Sequence, residues 1–253
     1  MARITGAARG DLRVGNNLQT LEAGWTKYHD HYGDDNMHLF TFFNASGYAY
    51  QGDDVGGYDQ YFPNNTWKQY DDQVHPGAIY STISAHGGDQ YKLWLVYQLC
   101  RGNWWFWAVD RWLGYYPASY FAGGLDPNLP LATDITTTLA DHGDYVGFFG
   151  EVDDSARTIK PPSTELTTTD MGSGEFAETG WQHSAYIHNL LYQGDVSREP
   201  IGVNDSNQYY DEDETVQAIP DSKTRYDADP HFDNRGSWGS FLWLGGPGYV
   251  PLG

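Results

Sequence analysis

Residues 91–121 limit the architectures open to this chain more than any other stretch. They read Tyr-Lys-Leu-Trp-Leu-Val-Tyr-Gln-Leu-Cys100, then Arg101-Gly102, then Asn-Trp-Trp-Phe-Trp-Ala-Val-Asp110, and close on Gly114-Tyr-Tyr-Pro117. Five of the ten tryptophans fall between Trp94 and Trp112. Two β-rich runs meeting at a Gly-containing pair make a hairpin. A two-residue Arg101-Gly102 loop sets Leu99 opposite Trp104, Tyr97 opposite Phe106 and Leu95 opposite Ala108 on one face. The other face then pairs Gln98 with Trp105, Val96 with Trp107 and Trp94 with Val109. A slip of one residue would exchange the faces. Both faces are too apolar for water, so the hairpin belongs at the centre, covered on both sides or flooring a groove.

Composition points the same way. Aromatic residues make up 16% of the 253 positions and there are 30 glycines, which favours strands and turns over helices. A chain of this length buries about 70–75% of its extended surface and needs no covalent staple. Cys100 is the only cysteine, which excludes an intramolecular disulfide and a thiolate metal cluster; a buried strand thiol is its expected role. The 34 acidic against 14 basic residues give a net charge of −20, a surface that repels phosphate backbones and makes nucleic acid a poor partner. No run reaches the length of a membrane span, and no membrane partner is expected. Residues 1–11 do not form a signal peptide, so an intracellular protein, a mature form and a chain lacking its leader are all compatible.

The expected fold is all-β: an antiparallel β-sandwich of two sheets, with long loops and little helix. Residues 1–15 read as a loose lead-in and 16–253 as a single domain. Strands are expected at 17–28, in two pieces at 38–50, at 77–84, in the hairpin, at 145–152, as a pair in 176–191, and at 237–244. Residues 51–73 and 196–235 read as acidic loops, 117–121 as a helical turn, and 134–142 as a short helix capped by Asp134.

Glutamate is distributed unlike aspartate. There are 26 Asp but 8 Glu, and before residue 165 the only glutamates are Glu22 and Glu151. Aspartate occupies loops, where it serves turns and solvation. Glu22 and Glu151 instead stand in apolar strand context, Leu21-Glu22-Ala-Gly-Trp25 and Phe148-Phe-Gly-Glu151-Val152. Burying a carboxylate among such neighbours is costly unless it is paired or protonated. Two readings remain open: each points outward from an edge strand, or the strands bring the two together as an acid–base pair.

Other groups carry less. Met171-Gly-Ser173-Gly lacks the spacing of a nucleophile elbow, and a tight glycine turn explains it. His29 and His31 share a strand face if extended and, with Asp34-Asp35, form a weak metal set. Asp53-Asp54, Asp71-Asp72, Asp153-Asp154 and Asp211-Glu-Asp213 do not match a calcium-loop spacing and read as solvated loops. Asn44, Asn64 and Asn204 begin glycosylation sequons.

Eight pieces in order along the chain carry a family likeness. They are Glu22-Ala-Gly-Trp25; Leu39-Phe-Thr-Phe-Phe43 with Gly47-Tyr48; Gln90-Tyr91; Gly102-Asn-Trp-Trp105; Gly114-Tyr-Tyr-Pro117 with Phe121; Gly150-Glu-Val152; Met171-Gly-Ser-Gly174 with Phe176; and Trp238-Gly-Ser240 with Gly245-Gly-Pro-Gly248. The chain thus resembles the catalytic domain of the neprosin family of secreted peptidases. The resemblance implies a β-sandwich glutamic peptidase whose catalytic pair falls on Glu22 and Glu151. It also implies an acid-acting, extracellular endopeptidase that cleaves after proline in Pro-rich peptides or proteins, without metal or cofactor. Trp25, Trp105 and Trp107 are the candidates for lining a proline subsite. The neighbours Phe149 and Asp153-Asp154 suggest Glu151 as the acid. The sequence departs from plant members in lacking their cysteine pair within residues 52–61. Two rivals stand beside this reading: a non-catalytic surface, structural or glycan-binding sandwich, and a glycoside hydrolase built on the same two carboxylates.

Overall fold

The computed structural model describes residues 2–7, 19–46, 56–60, 66–122, 138–143, 145–152, 169–191, 225–231 and 236–248. Within them run strands β1 (Ala2–Ala7), β2 (Thr20–Thr26), β3 (Met37–Asn44), β4 (Gly56–Tyr58), β5 (Lys68–Gln69), β6 (Ile79–Tyr80), β7 (Leu95–Cys100), β8 (Asn103–Ala108), β9 (Arg111–Pro117), β10 (Tyr145–Gly150), β11 (Ala185–His188), β12 (Asp227–His231) and β13 (Phe241–Gly245). One α-helical turn, α1 (His29–Tyr32), and 3₁₀ turns at Ala118–Phe121, Thr138–Ala140 and Ala177–Thr179 complete the described elements. The fold is all-β, and every strand pairing is antiparallel.

The central hairpin has the register its two-residue loop demands. Leu95 pairs with Ala108, Tyr97 with Phe106 and Leu99 with Trp104, while Val96 and Gln98 meet Trp107 and Trp105. Arg101 (φ 51°) and Gly102 (φ 73°) both take positive φ, the turn whose twist matches that of the flanking strands. β9 returns along β8 with a bulge: Phe106 pairs with Gly114 and Trp107 with Trp112, leaving Leu113 as the extra residue. Gly114 has no alternative, because a Cβ there would stand 2.4 Å from the ring of buried Trp67. The four-stranded sheet runs β5-β9-β8-β7.

The facing layer is a six-stranded sheet, β10-β1-β2-β3-β4, with β6 also on β3. Period-two alternation assigns its faces. Leu21, Ala23, Leu39 and Phe43 meet Phe106, Ala108, Leu113 and Tyr116 in one core. A three-stranded sheet, β11-β13-β12, joins the same side: Leu242 and Leu244 pack with Met171 against Phe148 of β10 and Val152. Ile4 aligns with Phe148 on one side and Ala23 on the other, so both cores lie against one face of the six-stranded sheet. The sandwich is therefore one layer of six strands opposed by two smaller sheets.

Several expectations change. Residues 2–7, read as part of a loose lead-in, form β1 in the interior of the six-stranded sheet. Their small residues give little strand signal, and the ladders on both sides supply the order. Within 176–191 there is one strand, β11, after a 3₁₀ turn, because Gly180 (φ 67°) and Gln182 (φ 68°) break the extended run. β4 and β5 arise inside the expected loop at 51–73, and β12 inside that at 196–235. The helix expected at 134–142 is a 3₁₀ turn, with Asp134 outside the described residues. Cys100 is half-buried rather than buried. Among the described residues no helix is long and apolar enough to cross a membrane.

Candidate functional site

Glu22 sits in β2 between Thr5 of β1 and Phe42 of β3, and is 4% exposed. Its neighbours Leu21 and Ala23 face the core, so its side chain leaves the opposite, outer face of the six-stranded sheet. Thr5 aligns in turn with Gly147 of β10. Glu151 directly follows β10, between Gly150 and Val152, and Val152 packs in the core with Phe148. The ladder itself ends at Gly150 and sets β1 between β2, which carries Glu22, and β10, which leads to Glu151.

The hairpin supports this face from beneath. The Tyr97 hydroxyl of β7 crosses the core and donates to the main-chain oxygen of Glu22 at 3.1 Å. Burial, then the proximity of Tyr116, Glu22 and Asp59, pushes that phenol well above its ordinary range, so it stays a neutral donor.

The tryptophans divide differently from expectation. Trp25, half-buried, alternates with Glu22 and shares the inner face with Ala23 and Leu39. Trp105 and Trp107 alternate with core residues Phe106 and Ala108, so they occupy the outer face of the other sheet. There Trp105 packs on Tyr70, Trp112 and Tyr115, and Trp107 on Trp112. The full thickness of the sandwich separates Trp105 and Trp107 from Glu22. Among the described residues, the aromatic groups on the face of Glu22 include Phe42, Phe40 and Tyr58, with Tyr28 and His31 beyond, and Phe149 two places past Gly147 in β10. The alternation His38, Phe40, Phe42 against Leu39, Thr41, Phe43 was the available signal for them.

The remaining sequence candidates resolve as structure. Ser173 Oγ donates to the His183 carbonyl and accepts from Glu175 N, which makes it a turn hydroxyl. His29 lies 3.4 Å from Asp35, His38 3.0 Å from Asp34, and His31 3.9 Å from Asp59, so the expected metal set disperses. Asp71 accepts from Gln73 N and Val74 N and pairs with Arg111; these contacts hold its carboxyl below the usual range. Asn44 is fully buried, which closes the first sequon to a glycan. Asn64, Asn204, Asp53-Asp54, Asp153-Asp154 and Asp211-Glu-Asp213 lie outside the described residues.

Two features were missed. Asp59, inside an expected solvated loop, is fully buried. His86, Glu175 and His183 gather at one spot from three separate segments.

The fold is an antiparallel sandwich with Glu22 buried on the outer face of its larger sheet and Glu151 just past the end of β10. The sequence model of the neprosin family matches residues 5–247, and the chain belongs to that family. Membership points to a peptidase-like function acting on proteins or peptides.

Proposed function

We propose that the protein is an acid-acting glutamic endopeptidase that cleaves after proline, with Glu22 and Glu151 as its catalytic pair. One observation supports the reading: in a chain of a peptidase-like family, Glu22 is buried in β2 and β1 alone separates that strand from β10, which Glu151 directly follows. A substrate strand lying across β1 passes between them. One carboxylate takes a proton from the attacking water while the other, neutral, polarises the scissile carbonyl, and a proton then passes to the leaving nitrogen. Glu22 is buried and Glu151 half-buried, and the pair divides the roles of acid and base between them. Phe42 and Tyr58, beside Glu22, supply the apolar wall for a proline ring.

The test is hydrolysis of a Pro-containing peptide at about pH 4, products read by mass, with Glu22→Gln and Glu151→Gln beside the unsubstituted chain. Each substitution is expected to cost several hundredfold or more, within the ~10²–10⁴ typical of acid–base groups. Full activity in either variant overturns the pair. Products without C-terminal proline overturn the specificity.

A second reading has its own observation. The rings of Tyr70, Trp105, Trp112 and Tyr115 tile the far face of the sandwich and suit the apolar faces of sugars. Under that reading the chain binds oligosaccharides on that face, away from Glu22, and leaves peptides intact.

A further inference from the structure

We propose that His86, His183 and Glu175 form a binding site for a zinc-class divalent cation, independent of the glutamate pair. His86 lies in the loop between β6 and β7, Glu175 in the turn before Ala177–Thr179, and His183 just ahead of β11. His86 Nε2 is 2.6 Å from Glu175 Oε1, His183 Nδ1 is 3.2 Å from Glu175 Oε2, and the two nitrogens are 3.2 Å apart. Zinc holds nitrogen and carboxylate oxygen at about 2.0–2.2 Å, so the edges of a tetrahedral site run to about 3.3 Å. The two 3.2 Å separations are near that edge length, and the 2.6 Å contact of His86 with Glu175 is a hydrogen-bond distance that lengthens by about 0.7 Å to reach it.

Each of the three side chains offers one ligand atom to a common centre, a ring nitrogen from each imidazole and a carboxylate oxygen from Glu175.

The backbone holds the set in place. Gly87 N donates to Gln182 O at 2.9 Å, and the Gln182 side chain returns to Gly88 O at 2.9 Å, which locks the loop bearing His86 to the segment bearing His183. Ser173 ties the His183 carbonyl to the Glu175 amide. The Glu175 carbonyl fills the space where Gly245 would carry a Cβ, at 2.0 Å. Side-chain exposures of 52%, 38% and 41% for His86, Glu175 and His183 leave a further coordination position open to water. Two imidazoles with one carboxylate favour zinc, cobalt or nickel over calcium and magnesium, which prefer all-oxygen sites.

The test is calorimetric titration of Zn²⁺ into the full chain after chelator treatment, with Ca²⁺ as the comparison ion. Co²⁺ is used to read a d–d spectrum. One equivalent of Zn²⁺ should bind, and Co²⁺ should give tetrahedral or five-coordinate bands. His86→Ala, His183→Ala and Glu175→Gln should each weaken binding by at least the ~10–100-fold that even outer-shell changes cost at such sites. Asp89→Asn and Glu22→Gln should bind as the unsubstituted chain does. Added Zn²⁺ should raise Tm in that chain and not in the His86→Ala variant. Absence of Zn²⁺ binding overturns the site, as does binding that survives all three ligand changes. Equal uptake of Ca²⁺ also overturns it, since that describes a diffuse acidic surface.

Discussion

Asp59 is a carboxyl with no exposed surface, and it does two jobs at once. Its Oδ1 accepts from Thr41 N at 2.9 Å and its Oδ2 from the Tyr32 hydroxyl at 2.8 Å, which ties β4 and α1 to β3. Burial pushes its pKa up from 3.8 to about 6, against the pull of those two hydrogen bonds and of His38 and His75. A carboxyl so shifted holds its proton about 3 kcal/mol more strongly in the folded chain. Below about pH 4 both folded and unfolded chains carry the proton and nothing is lost. As pH rises from about 4 to about 6 the unfolded chain ionises first, so stability falls by that amount and then levels. Asp34, Asp71, Asp110 and Glu175 are shifted the opposite way, so they add stability as pH rises through their unfolded values of 3.8 and 4.5; this overlaps the lower part of the window, and comparison with Asp59→Asn subtracts it. Asp59→Asn keeps an acceptor for Thr41 and gives Tyr32 a donor. Urea unfolding at steps from pH 4 to pH 7 should show the decline in the unsubstituted chain and a flatter profile in Asp59→Asn. Parallel profiles would remove Asp59 as the source.

At the scale of elements, the hairpin and its return strand show both a well-made and a strained turn. Val109 and Asp110 connect β8 to β9, and Val109 has φ 63°, which a β-branched residue adopts only under strain. A positive φ at the first central position of a two-residue turn is glycine's place. Relief of about 1–3 kcal/mol of strain should outweigh the ~0.5–1 kcal/mol of added unfolded-chain entropy. Val109 is 43% exposed, so little packing is lost. Val109→Gly should therefore stabilise the chain by about 1 kcal/mol, seen as a higher urea midpoint at constant m-value. A lower midpoint would mean that the valine packs on Trp94. Turns and neighbouring strands such as these are local, which is why the register of residues 95–108 was legible in the sequence down to each pair. The apolar strand context of Glu22 was legible too, and so was the strand that leads to Glu151. What lay beyond the sequence was long-range. β1 has no alternation of its own, so its insertion beside β2 follows only from partners at 20–26 and 145–150. Trp105 and Trp107 sit in a strand apolar on both faces, and which face meets the core depends on where the other sheet lies. Asp59 looked like its solvated neighbours in sequence, and only the closing of β4 over β3 buries it.

Across the whole molecule, the two layers separate two of the surfaces that carry aromatic rings. The outer face of the six-stranded sheet holds Glu22 with Phe42 and Tyr58, while the opposite face holds Trp105 and its neighbours; Tyr97 couples the first to the hairpin through the Glu22 carbonyl. Around both runs a surface of net charge −20. Arg111 already serves Asp71 and Asp110, and Lys27 lies 4.0 Å from Asp35, so much of the acidic excess is balanced by solvent and counter-ions. Packing that charge into a folded body costs more than spreading it over an unfolded chain. Salt at about 0.5 M shortens the screening length to roughly 4 Å and should relieve the repulsion. At pH 7 the expected result is a Tm rise of a few degrees between low salt and 0.5 M NaCl, on the order of what 1 kcal/mol does for a chain this size. Near the isoelectric pH of about 4.5 the net charge is close to zero and the same salt step should leave Tm nearly unchanged. Asp59→Asn should show the same salt response at pH 7, because its effect is burial and not surface repulsion. An equal rise at both pH values would assign the effect to general salting-out, and a fall at pH 7 would mean that attractive pairs outweigh the acidic excess.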